Sequence, residues 1–235
     1  LTEYLGTLII AGPRSRDVLK QITRADLSND TFPWMSVRQI RIGSNDILAL
    51  RINYVGELGW ELHAPVAILP ELYEMLWKGG LDHGIRDFGL YAMDSLRLDK
   101  CYRGWKTDLE TGYSPLEASL AGFCDLEKPD FIGRDALRAE HARGPARRFV
   151  PLTLDDPGSA DAPFCAPVYA DGEPVGLVTS GGWSHTLSAS IALAYVRSDL
   201  AAPGTKLQIE IFGELCNATV KQEPLFDPTN THPRG

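Results

Sequence analysis

The last third of the chain sets the strongest constraint on its fold. From Arg147 onward, short apolar runs recur at residues 149–154, 167–170, 173–179, 190–196, 206–212 and 216–221. Turn residues punctuate them: Asp171-Gly172, Gly181-Gly182 and Pro203-Gly204, which supply the positive φ or fixed φ that tight turns need. Within 206–212, Ile209 and Ile211 alternate with polar Gln208 and Glu210, the two-residue period of a strand with one face buried. Strands this short and this regularly spaced bury their apolar faces by packing on one another, so the segment predicts a separate all-β barrel or sandwich.

The first part of the chain follows another pattern. Residues 8–11 read as a buried strand closed by Gly12-Pro13. In 16–23, Val18, Leu19 and Ile22 fall on one helical stripe, with Ser15 placed as N-cap. Residues 37–42 and 47–54 are strand runs joined by a turn at 43–46, a further run covers 57–62, and Pro65 stops the meander. Residues 70–78 are helical, with Leu72, Tyr73, Leu76 and Trp77 inward and Gly79-Gly80 ending the helix. The order β-α-β-β-α predicts a ferredoxin-like half-open sandwich. Two more helices are expected at 88–98 and 133–142. Between them lies a basic-aromatic segment, KCYRGWKT at 100–107, which suits either a ligand that is stacked and neutralised or a surface loop with inward aromatics. The expected class is therefore α+β: a ferredoxin-like domain over 1–90, a connecting helical segment over 91–146 and a β-barrel over 147–235.

Charge and missing motifs exclude several function classes. Net charge is −8 and no Lys/Arg run exceeds Arg147-Arg148, so the electrostatic footprint of a nucleic-acid binder is absent. The four cysteines stand far apart with no CxxC pair, as in the reduced thiols of an intracellular protein, and the expected location is cytoplasmic, or the mitochondrial matrix in a eukaryote. No apolar run approaches the roughly 20 residues of a membrane span. The chain starts at Leu1 and enters a strand pattern almost at once, which reads as a piece of something longer. It contains neither GxxxxGK[ST] nor a strand-linked GxGxxG, and no GxSxG. The five histidines form no HExxH or paired spacing, so no metal site is expected.

One stretch carries candidate chemistry: residues 51–63, RINYVGELGWELH. If 57–62 is extended, Glu57, Gly59 and Glu61 share one face and Leu58, Trp60 and Leu62 the other. Two carboxylates beside a glycine notch would grip a flat ligand rich in N–H donors. The same residues also make a hairpin edge, with Gly for the turn and Glu for solubility.

Several segments together resemble one family. YVGELGWEL (54–62), MDSLRLDKCYRGWKTDL (93–109), YSPLEASL (113–120), FIGRDAL (131–137), the SGGW…SIALAYV pair (180–196) and the ending PLFDP are similar, in family order, to the glycine cleavage T-protein (aminomethyltransferase) family, and closer to the C-terminal regions of dimethylglycine and sarcosine dehydrogenases. The resemblance implies a ferredoxin-like folate-binding domain followed by a C-terminal barrel, around a hole that takes tetrahydrofolate. It implies a module that passes a one-carbon unit from a methylated amine of the dimethylglycine or sarcosine type to tetrahydrofolate. The alternatives are a T-protein acting on an aminomethyl-lipoyl carrier and a folate-binding module without turnover. By motif position Glu61 is the carboxylate that holds the pterin edge. Tyr54 and Trp60 supply wall and support, Glu57 ranks second, and Arg97 matches an arginine that binds or braces. Met93 stands where the T-protein has an arginine. The family's aspartate of amine chemistry precedes Leu1, so no catalytic residue is assigned, and an FAD-binding domain or subunit would lie upstream.

Overall fold

In the computed structural model, residues 3–156 and 160–235 are described. The chain divides into one unit of Leu1–Asp94 with Asp227–Gly235 and a second of Ser95–Phe226. Most of the connecting segment belongs with the barrel, and the chain's last residues belong with the first unit.

Alternation builds the first unit. Strands β1 (Leu5–Ala11), β2 (Val37–Ile42), β3 (Asn45–Leu50) and β4 (Gly59–Pro65) form an antiparallel sheet in the order β1-β4-β3-β2. One face carries Ile10, Ile40, Ile42, Ile47, Ala49, Trp60, Leu62 and Ala64, all buried. Helices α1 (Ser15–Ile22) and α2 (Leu69–Gly80) cover that face with Val18, Leu19, Leu72 and Leu76. The observed order is β-α-β-β-β-α: the three runs expected at 37–42, 47–54 and 57–62 each form a strand, with a wider break before the last. β3 stops at Leu50 rather than Tyr54, and β4 starts at Gly59 rather than Glu57.

Local chemistry accounts for the wider break. Arg51 turns into the core and donates to Phe32 O at 2.7 Å and Arg234 O at 2.5 Å. Asn53 then replaces the strand ladder: its Oδ1 accepts from the Val55 amide at 2.9 Å and the Glu57 amide at 3.4 Å, and its Nδ2 donates to Glu57 O at 2.5 Å. A side chain that satisfies nearby backbone groups competes with sheet pairing in this way. Re-entry at position 59 requires glycine, since a Cβ there would lie 2.6 Å from Ile10 O. Ser15 is not the N-cap. It is the first residue of α1, and its hydroxyl donates to Leu58 O at 2.9 Å, an oxygen that also accepts from the Gly12 amide at 2.8 Å.

The second unit is mostly a closed antiparallel barrel. After α3 (Leu90–Asp99) and α4 (Arg134–Arg143) come β5 (Arg147–Leu154), β6 (Pro167–Ala170), β7 (Glu173–Ser184), β8 (Ala189–Arg197), β9 (Lys206–Ile211) and β10 (Glu214–Val220). They close in the order β10-β5-β8-β7-β6-β9. β8 is apolar throughout because both its faces are covered: Ala192, Ala194 and Val196 point to the barrel core, and Ile191, Leu193 and Tyr195 pack on Leu98, Ala118 and Phe149 outside it. Gly181-Gly182 is not a turn. Both residues pair within β7, opposite Ala192 and Ile191, and a Cβ on Gly181 would lie 2.1 Å from Ala162 O. Small size, not turn geometry, is what those positions need. Among the described residues no helix is long and apolar enough to cross a membrane.

Trp60 fills the centre of the first core, edge-to-face with Phe32 at 6.3 Å and flanked by the Arg16 and Arg51 guanidiniums at 5.9 and 5.7 Å. Trp60→Ala should lower stability by about 3–5 kcal/mol, read as an earlier urea or thermal midpoint. A midpoint equal to the parent's would contradict this packing.

Candidate functional site

The two-residue period of β4 decides which side chains can meet a ligand. Trp60, Leu62 and Ala64 point into the core, so Glu61 and His63 point to the opposite face of the sheet. Glu61 sits in an inner strand, paired with Ile9 of β1 and Leu50 of β3. Its side chain is 24% exposed and that of His63 31%. The His63 Nε2 lies 3.1 Å from Glu61 Oε2, and Nδ1 lies 3.0 Å from the Oγ1 of Thr7, the cross-strand partner of His63. Among the described residues, no group of this chain bonds Glu61 Oε1. Around the carboxylate the face is apolar, with exposed Ile9, Leu48 and Val37. A partly exposed carboxylate with one oxygen engaged and one open, beside apolar side chains, has acceptor sites left for N–H donors.

The remaining expected site residues fall elsewhere. Glu57 does not share the Glu61 face: it precedes β4, so strand alternation does not reach it, and its carboxylate lies 3.3 Å from His232 Nδ1. It borders a separate cavity of about 400 Å³ with Arg16, Asp17 and Leu58. Trp60 cannot be a ligand wall because it is fully buried on the core side. It supports Glu61 by fixing the strand register. Tyr54 is half-buried in the loop before β4.

Arg97 is a brace in the second unit. At the end of α3 its side chain is buried, and it donates to Asp108 Oδ2 at 2.6 Å, Ser180 Oγ at 2.8 Å and Tyr102 O at 3.1 Å. Asp108 also accepts from the Gly104 amide at 2.7 Å, Ser180 Oγ at 2.8 Å and Thr179 Oγ1 at 2.5 Å. Two of the three cations of the basic-aromatic segment, Lys100 and Arg103, are likewise structural. Arg103 pairs with both oxygens of Glu223 and lies 4.4 Å over the Phe149 ring, and Lys100 donates to Phe226 O at 3.2 Å. Trp105 stays exposed.

Other candidates carry less. A cavity of about 710 Å³ runs beside β1 and is lined by Val18, Leu76, Trp77, Ile85 and Met93, with none of Tyr54, Glu57, Trp60 or Glu61 on its wall. Burial pushes the Cys101 thiol up to about 12, which leaves it protonated and unreactive. Among the described residues no cluster of His, Cys, Asp and Glu could hold a metal ion. Sequence reading missed His63 and Thr7. His63 was within reach, since it lies two residues beyond Glu61 in a strand, but Thr7 emerges only from the β1–β4 register.

Comparison with known proteins gives the following. The GCVT N-terminal domain model matches residues 1–128, and the glycine cleavage T-protein C-terminal barrel domain model matches residues 147–227. Mitochondrial dimethylglycine dehydrogenase of Rattus norvegicus is 40% identical over 236 residues, covering 98% of this chain and 27% of that protein. Mitochondrial sarcosine dehydrogenase of Mus musculus is 36% identical over 244 residues, covering 100% of this chain and 26% of that protein. The crystal structure of glycine cleavage system aminomethyltransferase T from Bartonella henselae matches with a TM-score of 0.83 at 26% identity, over 94% of this chain and 59% of that one. The chain spans about a quarter of the length of these two dehydrogenases.

The Arg97–Asp108 pair is buried, so removing one member strands the other charge. Arg97→Ala should destabilise the second unit by about 3–5 kcal/mol, and Asp108→Ala similarly. In a double-mutant cycle the two losses should fall well short of additive. Additive losses in urea unfolding would show that the two groups do not act together.

Proposed function

This chain belongs to the glycine cleavage T-protein family, and we propose that it is a folate-dependent one-carbon transfer module in which Glu61 anchors tetrahydrofolate. The observation that carries the reading is the Glu61 carboxylate itself, held at the middle of a sheet face with Oε1 open and apolar neighbours on both flanking strands.

The residues fit the group. Ionised carboxylate oxygens offer about four acceptor sites, and His63 takes one, on Oε2. Those left over suit the adjacent amide and amino N–H groups along a pterin edge, a charge-assisted pairing that fixes orientation as well as affinity. Ile9 and Leu50, the cross-strand neighbours of Glu61, would take the apolar part of the ring. When bound, tetrahydrofolate supplies the nitrogens N5 and N10 that accept the one-carbon unit. What this chain contributes is placement: Glu61 orients the acceptor, and the rigid sheet beneath it holds that orientation, the main lever when two reactants must be brought together.

The donor we propose is a small methylated amine of the dimethylglycine or sarcosine type. This rests on the names of the two dehydrogenases that align over nearly all of this chain. In such a protein a flavin-containing part outside this chain would oxidise the N-methyl group, and this module would capture the carbon. The compartment proposed with it is the cytoplasm, or the mitochondrial matrix in a eukaryote.

Titration of tetrahydrofolate by calorimetry tests the anchor. Glu61→Gln keeps the shape but removes the charge and one acceptor, and should cost ~1.5–3 kcal/mol, roughly ten- to more than a hundredfold in affinity. The thermal midpoint should not move, because Glu61 lies outside the core. Glu57→Gln, off this face, should have the smaller effect. If Glu61→Gln binds as tightly as the parent, the assignment is wrong.

A further inference from the structure

We infer that His63 is a positioning residue for the ligand carboxylate, with Thr7 as the group that fixes the imidazole. This deepens the folate reading and rests on it.

Position comes first. Residues two apart on a strand project from the same face, so His63 stands beside Glu61 on β4, and Thr7 stands opposite His63 on β1. The three groups form one line: Thr7 Oγ1 to His63 Nδ1 at 3.0 Å, then His63 Nε2 to Glu61 Oε2 at 3.1 Å. Chemistry then gives the line a direction. An ionised carboxylate only accepts hydrogen bonds, so the Nε2 hydrogen must belong to histidine. In the neutral ring Nδ1 is then an acceptor, which the Thr7 hydroxyl satisfies as donor.

A free glutamate on an open sheet face would sample several rotamers and lose that freedom on binding. Here His63 holds Oε2 in place before any ligand arrives, and Oε1 is left without a partner among the described residues. The device selects a ligand that offers parallel N–H donors along one edge, such as an amide next to an amino group. A ligand edge that only accepts finds no donor at Oε1.

Calorimetric titration of tetrahydrofolate into the 235-residue chain and its variants tests this. His63→Ala should weaken binding roughly three- to tenfold, the effect of one net hydrogen bond, with an unchanged thermal midpoint. His63→Gln places an N–H near the former Nε2 and should return affinity to within about twofold of the parent. Thr7→Val should weaken binding by about twofold. If Glu61→Gln loses affinity while His63→Ala does not, the anchor stands and the positioning role falls. The role also falls if Ala and Gln at position 63 are equally weak, since ring packing would then be the cause. If neither Glu61→Gln nor His63→Ala changes affinity, or if the parent does not bind tetrahydrofolate, the folate reading fails with it. Nitrogen NMR of the ring gives an independent readout. The Nε2-protonated form is expected, and the Nδ1-protonated tautomer, which has no hydrogen to offer Glu61, would overturn the inference.

Discussion

Trp60 and Glu61 are neighbours in the chain and meet opposite environments. The indole is fully buried between Phe32 and two guanidiniums, whereas the carboxylate faces away from the core. Because side chains alternate with a period of two, slipping β4 by one residue would carry Trp60, Leu62 and Ala64 out and Glu61 and His63 in. The slip would forfeit roughly 1.5–3 kcal/mol for each large apolar side chain exposed. It would also take an ionisable pair out of water, at a desolvation cost. The core therefore sets which way Glu61 and His63 point, although neither belongs to it.

Entry into β4 is fixed by groups that look unrelated in the sequence. Leu58 O accepts from Ser15 and from the Gly12 amide, Gly59 passes close to Ile10 O, and Asn53 closes the preceding loop on itself. Arg51 joins that loop to Phe32 O and to the carbonyls of Pro233 and Arg234. Burial, then repulsion from Arg16, lowers the Arg51 pKa below its ordinary value, but a guanidinium remains charged in proteins. Carbonyl oxygens and the Trp60 face take the place of a counter-ion. The loop is thereby held from both sides within the first unit, and the strand that carries Glu61 leaves it at a defined point.

How much of this could be read from the sequence depends on the range of the forces involved. Short-period features were legible: the barrel strands, the two helices of the first unit, and the opposite orientation of Trp60 and Glu61. Features that need register or size information were not. Gly181-Gly182 has the composition of a turn and is a close crossing inside β7. Glu57 has the spacing of a strand residue, but the side chain of Asn53 ends the strand logic before it. Arg97 matched a binding motif, yet its partners Asp108 and Ser180 come from a distant loop and strand. Family likeness placed the motif, but it could not say which of its polar residues are engaged by the protein itself.

That last distinction separates Glu61 from other well-placed carboxylates in the chain. Glu223 gives both oxygens to Arg103, and Glu117 gives both to Arg147. Asp108 is wholly buried with both oxygens occupied. An arginine fork matches a carboxylate edge to edge and engages both its oxygens. Such pairs leave neither oxygen without a partner from the protein. Histidine presents a single N–H along one direction, so it can restrain a carboxylate through one oxygen and leave the other exposed. Glu61 has that partner, in an inner strand, on the face that the helices do not cover. The type of partner distinguishes Glu61 from these arginine-paired carboxylates, though not from Glu57, whose carboxylate lies beside His232 off this sheet face.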